Sequence, residues 1–229
     1  MLKVIKCVDS VIDKIVSIIL IFALLIGIYL IYDNIYIFNN ATGKKVQGYK
    51  PNTVEQAEEV LKELSDECVA WLTINDTKID YPIMQGSDNL VYLNKDPYGD
   101  YNLAGSIFLD ASNSADFSDS YSLLYGHHLA NRYMFGELDS WTDRLFFENH
   151  LDGELVTSNG ISYHFKIFAV ANVSAYTKSI FNPVGNYPMQ EIKQNAIYWN
   201  EPVDGRLLIL STCKSTTSPE RLIVCGMLY

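Results

Sequence analysis

The residues best suited to covalent chemistry lie near the end of this 229-residue chain. In "LLILSTCKSTTSPERLIVCG", Leu207 to Gly226, one apolar run stops at Cys213 and the next opens at Arg221. A thiol attacks a carbonyl as its thiolate, and an unperturbed thiol is only slightly ionised near neutral pH. Arg221 cannot take the proton, because a guanidinium does not deprotonate in proteins. It can stabilise a thiolate or an oxyanion through its charge and paired N–H donors. The acid or base must come from one of four histidines, His127, His128, His150 and His164. His150 lies in the polar "FENHLDG" and reads as a surface turn, and His164 alternates within a strand-like run. Only "SLLYGHH" resembles the cysteine's setting: an apolar run ends in glycine, and His127 and His128 follow where a strand-end imidazole belongs. On these residues alone two readings stand. One is a nucleophilic cysteine site; the other is a buried Cys213, loop histidines and an Arg221 paired with an acid.

The elements that must position these residues are mostly strands. "AWLTI", "KIDYPIMQ", "AGSIFLD", "SYSLLYG", "GELVTS", "SYHFKIFAVANVSAY", "GRLLILST" and "RLIVCGMLY" are strand-length and rich in β-branched or aromatic residues. Eight such strands between Asn, Asp, Gly and Ser clusters predict a sandwich or closed barrel. Arg206–Thr212 and Arg221–Leu228 read as a hairpin through Lys214–Glu220, which sets Cys213 and Arg221 almost opposite in register. Two interruptions read as helical, Asp88–Leu93 and Pro188–Trp199. The second sits in a connection of about thirty residues, a length often tied to function. Ahead of the strands, Val54, Ala57, Val60, Leu61, Leu64 and Cys68 recur at helical spacing after Thr53, a plausible N-cap. Cys68 is assigned to the apolar face of that helix.

The first thirty or so residues differ in composition from the rest. Ile15–Tyr32 is an uncharged run, extendable through Ile35–Phe38, which is long enough to cross a bilayer. Lys3, Lys6 and Lys14 precede it and no further lysine or arginine appears until Lys44. That bias predicts residues 1–14 in the cytoplasm, a transmembrane signal anchor over 15–38 and the rest outside. A cleaved signal peptide fits less well, because its apolar core is usually shorter and a small-residue site follows. Residues 39–52 are polar, hold two glycines and a proline, and read as a linker, leaving 53–229 as one extracellular domain. Beyond residue 32 the chain carries 14 basic against 25 acidic side chains, a formal charge of −11. Such a surface repels polyanions, so no nucleic-acid partner is expected. The cysteines, Cys7, Cys68, Cys213 and Cys225, match no zinc spacing. Three of them face outside, an odd number, so an unpaired thiol there needs either burial or a task.

Taken in order, the N-terminal anchor, "AWLTINDTKIDYPIMQG", "AGSIFLD", "LLYGHH", "LSTC" and "ERLIV" resemble the sortase family, the cysteine transpeptidases of Gram-positive cell surfaces. The resemblance spans roughly Ala70 to Tyr229. "LSTC" is similar to the family's T-L-x-T-C signature, with Ser211 at a position where many members differ, and "YGHH" is similar to its histidine box. The helix before the first strand and the long helix-bearing connection before the cysteine strand look most like class B sortases. The resemblance implies an eight-stranded sortase-type β-barrel with peripheral helices. It implies Cys213 as nucleophile, His127 as general acid and base, because the family's histidine directly follows the glycine, and Arg221 as stabiliser of substrate and oxyanion. By position in class B relatives, Leu93, Tyr176, Ile180, Phe181, Tyr187, Ile192 and Ser211 are the candidates for binding substrate. No cofactor or metal is implied, since one amide is exchanged for another.

The implied reaction joins a sorting-motif-bearing surface protein to a peptidoglycan precursor amine, with the membrane holding the enzyme through its N-terminal helix. Class B enzymes tend to recognise motifs such as N-P-x-T-x or S-P-K-T-G, and this sequence does not choose between them. Three rivals remain. A membrane-anchored cysteine peptidase uses water as acceptor. A pilin polymerase uses a partner's lysine, although no acidic-aromatic lid precedes the domain and no second C-terminal span follows it. A non-catalytic surface-binding domain would leave Cys213 inert, and Cys225, on the last strand-like run, reads as core.

Overall fold

The computed structural model describes residues 2–42, 44–213 and 219–229. The chain divides into two compact units, residues 1–39 and 40–229. The first is built on helix α1 (Leu2–Thr42), within which Asp9–Asp33 has a mean hydropathy of 2.9 and no buried residues. At 1.5 Å per residue those 25 residues extend about 37 Å, enough to cross a bilayer.

The polar stretch expected as a linker is not a bare connector. From Lys44, within the second unit, it forms a short helix, α2 (Lys44–Gln47), that packs on the rest of that unit. Val46 is fully buried, Lys45 lies 4.2 Å from the ring centre of Tyr98, and Lys50 pairs with Asp80 at 2.7 Å. Val46→Asp is expected to lower the melting temperature of the full chain by several degrees in a thermal melt. Because the segment can peel away, the cost is capped near the transfer energy of one valine, about 2 kcal/mol. An unchanged melt would show that the segment is not docked in solution.

Next come a 3₁₀ turn (Val54–Gln56) and α3 (Ala57–Leu64), shorter than the spacing predicted. Thr53 occupies the N-cap position with no side-chain capping bond. Cys68 is not on this helix; it opens strand β1 (Cys68–Ile74). It is nevertheless buried in the same cluster as Leu61 and Leu64 of α3, so its apolar environment is the expected one.

The remaining strands are β2 (Asp80–Met84), β3 (Ile107–Leu109), β4 (Tyr121–Tyr125), β5 (Asp152–Thr157), β6 (Ser162–Ser174), β7 (Ala196–Trp199), β8 (Arg206–Cys213) and β9 (Glu220–Leu228). Their pairing runs β5-β1-β2-β3-β4-β8-β9-β6, and β5 also pairs with β6, which closes an eight-stranded barrel. Those eight strands correspond to the eight apolar runs. The ninth, β7, attaches to β6 outside the ring. It corrects the reading of Pro188–Trp199 as one helix, because the helix there, α6 (Met189–Asn195), ends at Asn195 and the chain then turns extended. Likewise Asp88–Leu93 contains only a 3₁₀ turn, Val91–Leu93.

Burial explains why the last strands read as continuous apolar runs rather than alternating ones. Leu208, Leu210, Leu222 and Val224 belong to one buried cluster with Leu72, Ile83 and Phe165. Their neighbours Leu207, Ile209, Ile223 and Cys225 point the other way, into a second cluster with Ile180 and Ile192. Those two isoleucines come from α5 (Lys178–Phe181) and α6 (Met189–Asn195), so the long connection covers the barrel's outer face with its helices. Between β4 and β5, residues Phe135–Thr142 form a 3₁₀ segment whose Phe135, Leu138 and Trp141 join the first cluster. The short α4 (Arg144–Asn149) follows, capped by the Asp143 carboxylate accepting from the Phe146 amide at 2.9 Å.

Candidate active site

Two registers bring the chemistry-bearing residues to one rim. β4 and β8 are parallel neighbours, with Tyr125 opposite Ser211, so both strands end on the same side of the barrel. The Gly126 amide continues the ladder, donating to the Ser211 carbonyl at 3.1 Å. Two residues beyond the pair 125/211 stand His127, just past the end of β4, and Cys213, the last residue of β8. β8 and β9 are antiparallel, with Cys213 and Arg221 as Cα partners, the register the hairpin reading anticipated. The Cys213 backbone closes β8; its side chain, the connection 214–218 expected as a turn, and the side chain of Cys7 lie outside what is described.

Gly126 is required between β4 and His127. A Cβ there would meet Ile107 Cδ1 at 2.4 Å and Phe135 Cδ2 at 2.7 Å. His127 is then held from two sides. Its carbonyl accepts from the Phe135 amide at 3.1 Å, and its Nε2 lies 2.7 Å from the Leu93 carbonyl oxygen. A carbonyl can only accept, so Nε2 carries a hydrogen and Nδ1 is the ring's remaining proton site. His128 is oriented differently, with its Nε2 2.7 Å from Asp139 Oδ2. His150 stacks on Phe146, and His164 sits exposed against Tyr229.

His127 and Arg221 line one cleft of about 320 Å³ with Leu93, Phe181, Ser211 and Thr212. Arg221 Nη1 donates to the Glu220 carbonyl at 3.2 Å. The Ser211 and Thr212 hydroxyls are buried with no hydrogen-bond partner among the described residues. Three of the expected substrate contacts therefore meet in this cleft: Leu93, Phe181 and Ser211. Tyr176, 81% exposed, and the half-exposed Tyr187 lie outside its walls. Ile180 and Ile192 are corrected: each has 0% exposure within the second core cluster, so neither presents surface to a docked peptide.

The sequence reading missed Asn89, Phe108 and Tyr125, which also line the cleft. Behind them stands buried Asp110. Tyr125 Oη and Asn89 Nδ2 both donate to its Oδ2, at 2.9 and 2.8 Å, while the Ser112 hydroxyl and amide donate to its Oδ1. Burial, followed by the Asp110 charge and hydrogen bond, pushes the Tyr125 phenol well above its usual range, so it remains a donor. Tyr125 was detectable in principle, since it stands two residues before His127, while Asn89 is joined to the site only by the tertiary fold. The two buried thiols are inert: burial pushes Cys68 up to about 12 and raises Cys225 further. Among the described residues, no group of three or more His, Cys, Asp or Glu is arranged to hold a metal ion.

A sortase-domain model matches residues 72–229. Sortase B of Listeria monocytogenes is 34% identical over 178 residues, covering 73% of this chain and 72% of that protein. Sortase B of Staphylococcus aureus is 28% identical, with 72% of each chain covered. Among solved structures, a Streptococcus pyogenes class B sortase involved in pilus biogenesis is 37% identical with a TM-score of 0.69, covering 75% of this chain and 97% of its own. With the family model matching more than half of the chain and these relatives covering most of it, we conclude that this chain belongs to the sortase family of cysteine transpeptidases, with class B sortases as its neighbours in sequence and structure.

Proposed function

We propose that this chain is a membrane-anchored transpeptidase. It cleaves the C-terminal sorting motif of secreted proteins after threonine and joins the acyl group to a cell-wall peptide amine. The observation that carries this reading is the convergence of three strand ends. The parallel β4/β8 register and the antiparallel β8/β9 register bring His127, Cys213 and Arg221 to one rim. A strand-end site on a rigid sheet suits chemistry that depends on fixed geometry.

In the proposed mechanism Cys213 attacks the threonine carbonyl, and Arg221 stabilises the oxyanion through charge and N–H donors. His127 protonates the departing amine, and a thioacyl-enzyme remains. An acceptor amine then attacks, the C–S bond breaks and His127 takes the amine's proton. The Leu93 carbonyl holds the ring in place through Nε2, which leaves Nδ1 for the transfer in both directions. The peptide lies along Leu93, Phe181 and Ser211. A neighbouring solved structure is a sortase B–substrate complex from Staphylococcus aureus, 25% identical with a TM-score of 0.69, which supports a peptide in this cleft.

The apolar segment Asp9–Asp33 serves as the anchor, with Lys3, Lys6 and Lys14 keeping the N-terminus cytoplasmic and the barrel outside. Sharing a surface with a tethered substrate and a lipid-linked acceptor raises their effective concentration. A second reading, in which the acceptor is a lysine of a pilin subunit, draws support from the pilus role of the Streptococcus pyogenes relative.

The full chain in detergent micelles, given a library of threonine-containing sorting peptides with and without triglycine, should release fragments cut after threonine and form new amides when the amine is present. Cleavage without amide formation would replace this reading with the peptidase. No cleavage, together with no thiol-probe labelling lost in Cys213→Ser, would leave a binding domain.

A further inference from the structure

The Leu93 carbonyl that holds His127 belongs to a loop with its own support. Residues 92–106 close on themselves: the Ser106 amide donates to the Tyr92 carbonyl and the Asn102 amide to the Asn94 carbonyl, each at 3.0 Å. Inside the loop the Asp96 carboxylate accepts from the Tyr98 and Asp100 amides, both at 3.0 Å. Leu93 therefore stands at the neck of the loop, with its carbonyl oxygen 2.7 Å from His127 Nε2. Gly105 completes the neck with a φ of +60°. A Cβ there would meet the Leu93 carbonyl oxygen at 2.6 Å and the Tyr92 carbonyl oxygen at 2.7 Å, so glycine is what lets the two arms of the neck close this tightly.

Against this loop lies the segment that follows α1. Val46 is fully buried in one cluster with Trp71, Tyr92 and Phe108, and Leu93 packs against that cluster. Lys45 Nζ stands 4.2 Å from the centre of the Tyr98 ring, and the Tyr49 and Tyr98 rings meet edge to face at 6.1 Å. The same segment is tied to β2. Gln47 Nε2 donates to the Asp80 carbonyl at 2.8 Å, and Lys50 pairs with the Asp80 carboxylate at 2.7 Å. Four helical residues would not persist by themselves, so α2 owes its place to these contacts. Residues 45–50 thus join a barrel strand to the loop that carries Leu93, with Val46 wedged between.

The geometry points to Val46 and Gly105 as positioning residues for proton transfer: the segment after α1 braces the 92–106 loop, Gly105 lets its neck close, and the Leu93 carbonyl then fixes the His127 ring. This inference rests on the transpeptidase reading above, in which His127 gives its proton to the departing amine. Neither residue lines the cleft, so neither touches the bound peptide. Proton transfer is steep in distance, and a misplacement of about 1 Å can cost about 10²-fold. A loosened loop therefore slows the acyl step without removing any group that takes part in it. The stretch between anchor and barrel is then part of the working site as well as a tether.

The test follows single-turnover release of the leaving peptide by the full chain in detergent micelles, with a sorting peptide that the library shows to be cut. Val46→Asp leaves the barrel folded, because the segment can peel away. It is expected to lower the maximal rate about tenfold, with KM held within about twofold. Gly105→Ala acts from inside the neck, independently of Val46, and is expected to lower the rate at least as much. In a His127→Ala background neither substitution should slow the reaction further, since no ring is left to misplace. Hydrogen exchange reads the brace without any activity: exchange across residues 92–106 is expected to quicken in Val46→Asp more than exchange across β6. An unchanged rate in either variant, losses that persist in full without His127, a change in KM alone, or unchanged exchange across the loop would overturn the brace. A parent chain that forms no acyl-enzyme, with the exchange result standing, would overturn the transpeptidase reading instead.

Discussion

Cys213→Ala is expected to abolish acyl-enzyme formation, and turnover of a sorting peptide should fall by on the order of 10⁴-fold or more, the scale seen when a covalent nucleophile is removed. Under the proposed mechanism every later step passes through the thioester, so Arg221 and His127 have nothing to act on without it. The measurement is intact-protein mass spectrometry with a substrate peptide, where the parent gains the acyl mass and the variant does not, alongside the turnover rate. Background is low for a physical reason: burial holds the Cys68 and Cys225 thiols protonated, so neither supplies a substitute nucleophile. A variant that keeps more than a tenth of the parent rate would remove Cys213 from its proposed role.

His127→Ala is expected to cost about 10²- to 10⁴-fold in turnover, the usual contribution of a positioned proton-transfer group. His128→Ala should stay within a few-fold when the acyl step alone is followed. The contrast follows from where each ring is held. His127 lines the cleft and is fixed by the Leu93 carbonyl, while the His128 ring is turned to Asp139. Single-turnover release of the leaving peptide isolates the acyl step from acceptor binding. If His128→Ala carries the larger loss, the two roles must be exchanged.

The Leu93 contact shows how far the linear chain could lead. Leu93 was a substrate-binding candidate by family position, yet its carbonyl's contact with the His127 ring was not legible. The 34 positions separating Leu93 from His127 are bridged only when β2 and β3 pair in parallel and set the intervening loop against β4's end. The same applies to Asp110, Asn89 and Tyr125, whose hydrogen bonds join three separate segments into one wall.

Local patterns carried the rest. The eight barrel strands, the apolar anchor candidate and the facing of Cys213 and Arg221 were readable because each depends on neighbours in sequence: short β-branched and aromatic runs between turn residues, uninterrupted hydropathy and two apolar runs close enough to pair as a hairpin. Element ends were less readable. α6 yields to β7 at Ala196 because β6 has an open edge there for Ala196–Trp199 to pair with, a contact that no helical periodicity within the segment records. Ile180 and Ile192 look like groove residues by position and are core by packing, since both sides of β8 and β9 are apolar and need cover. Sequence alone thus determined the chemical types and the strands that carry them. Tertiary structure decided which side chains share a cleft, because closing the barrel, a matter of long-range pairing, chooses the strand ends that meet at each rim.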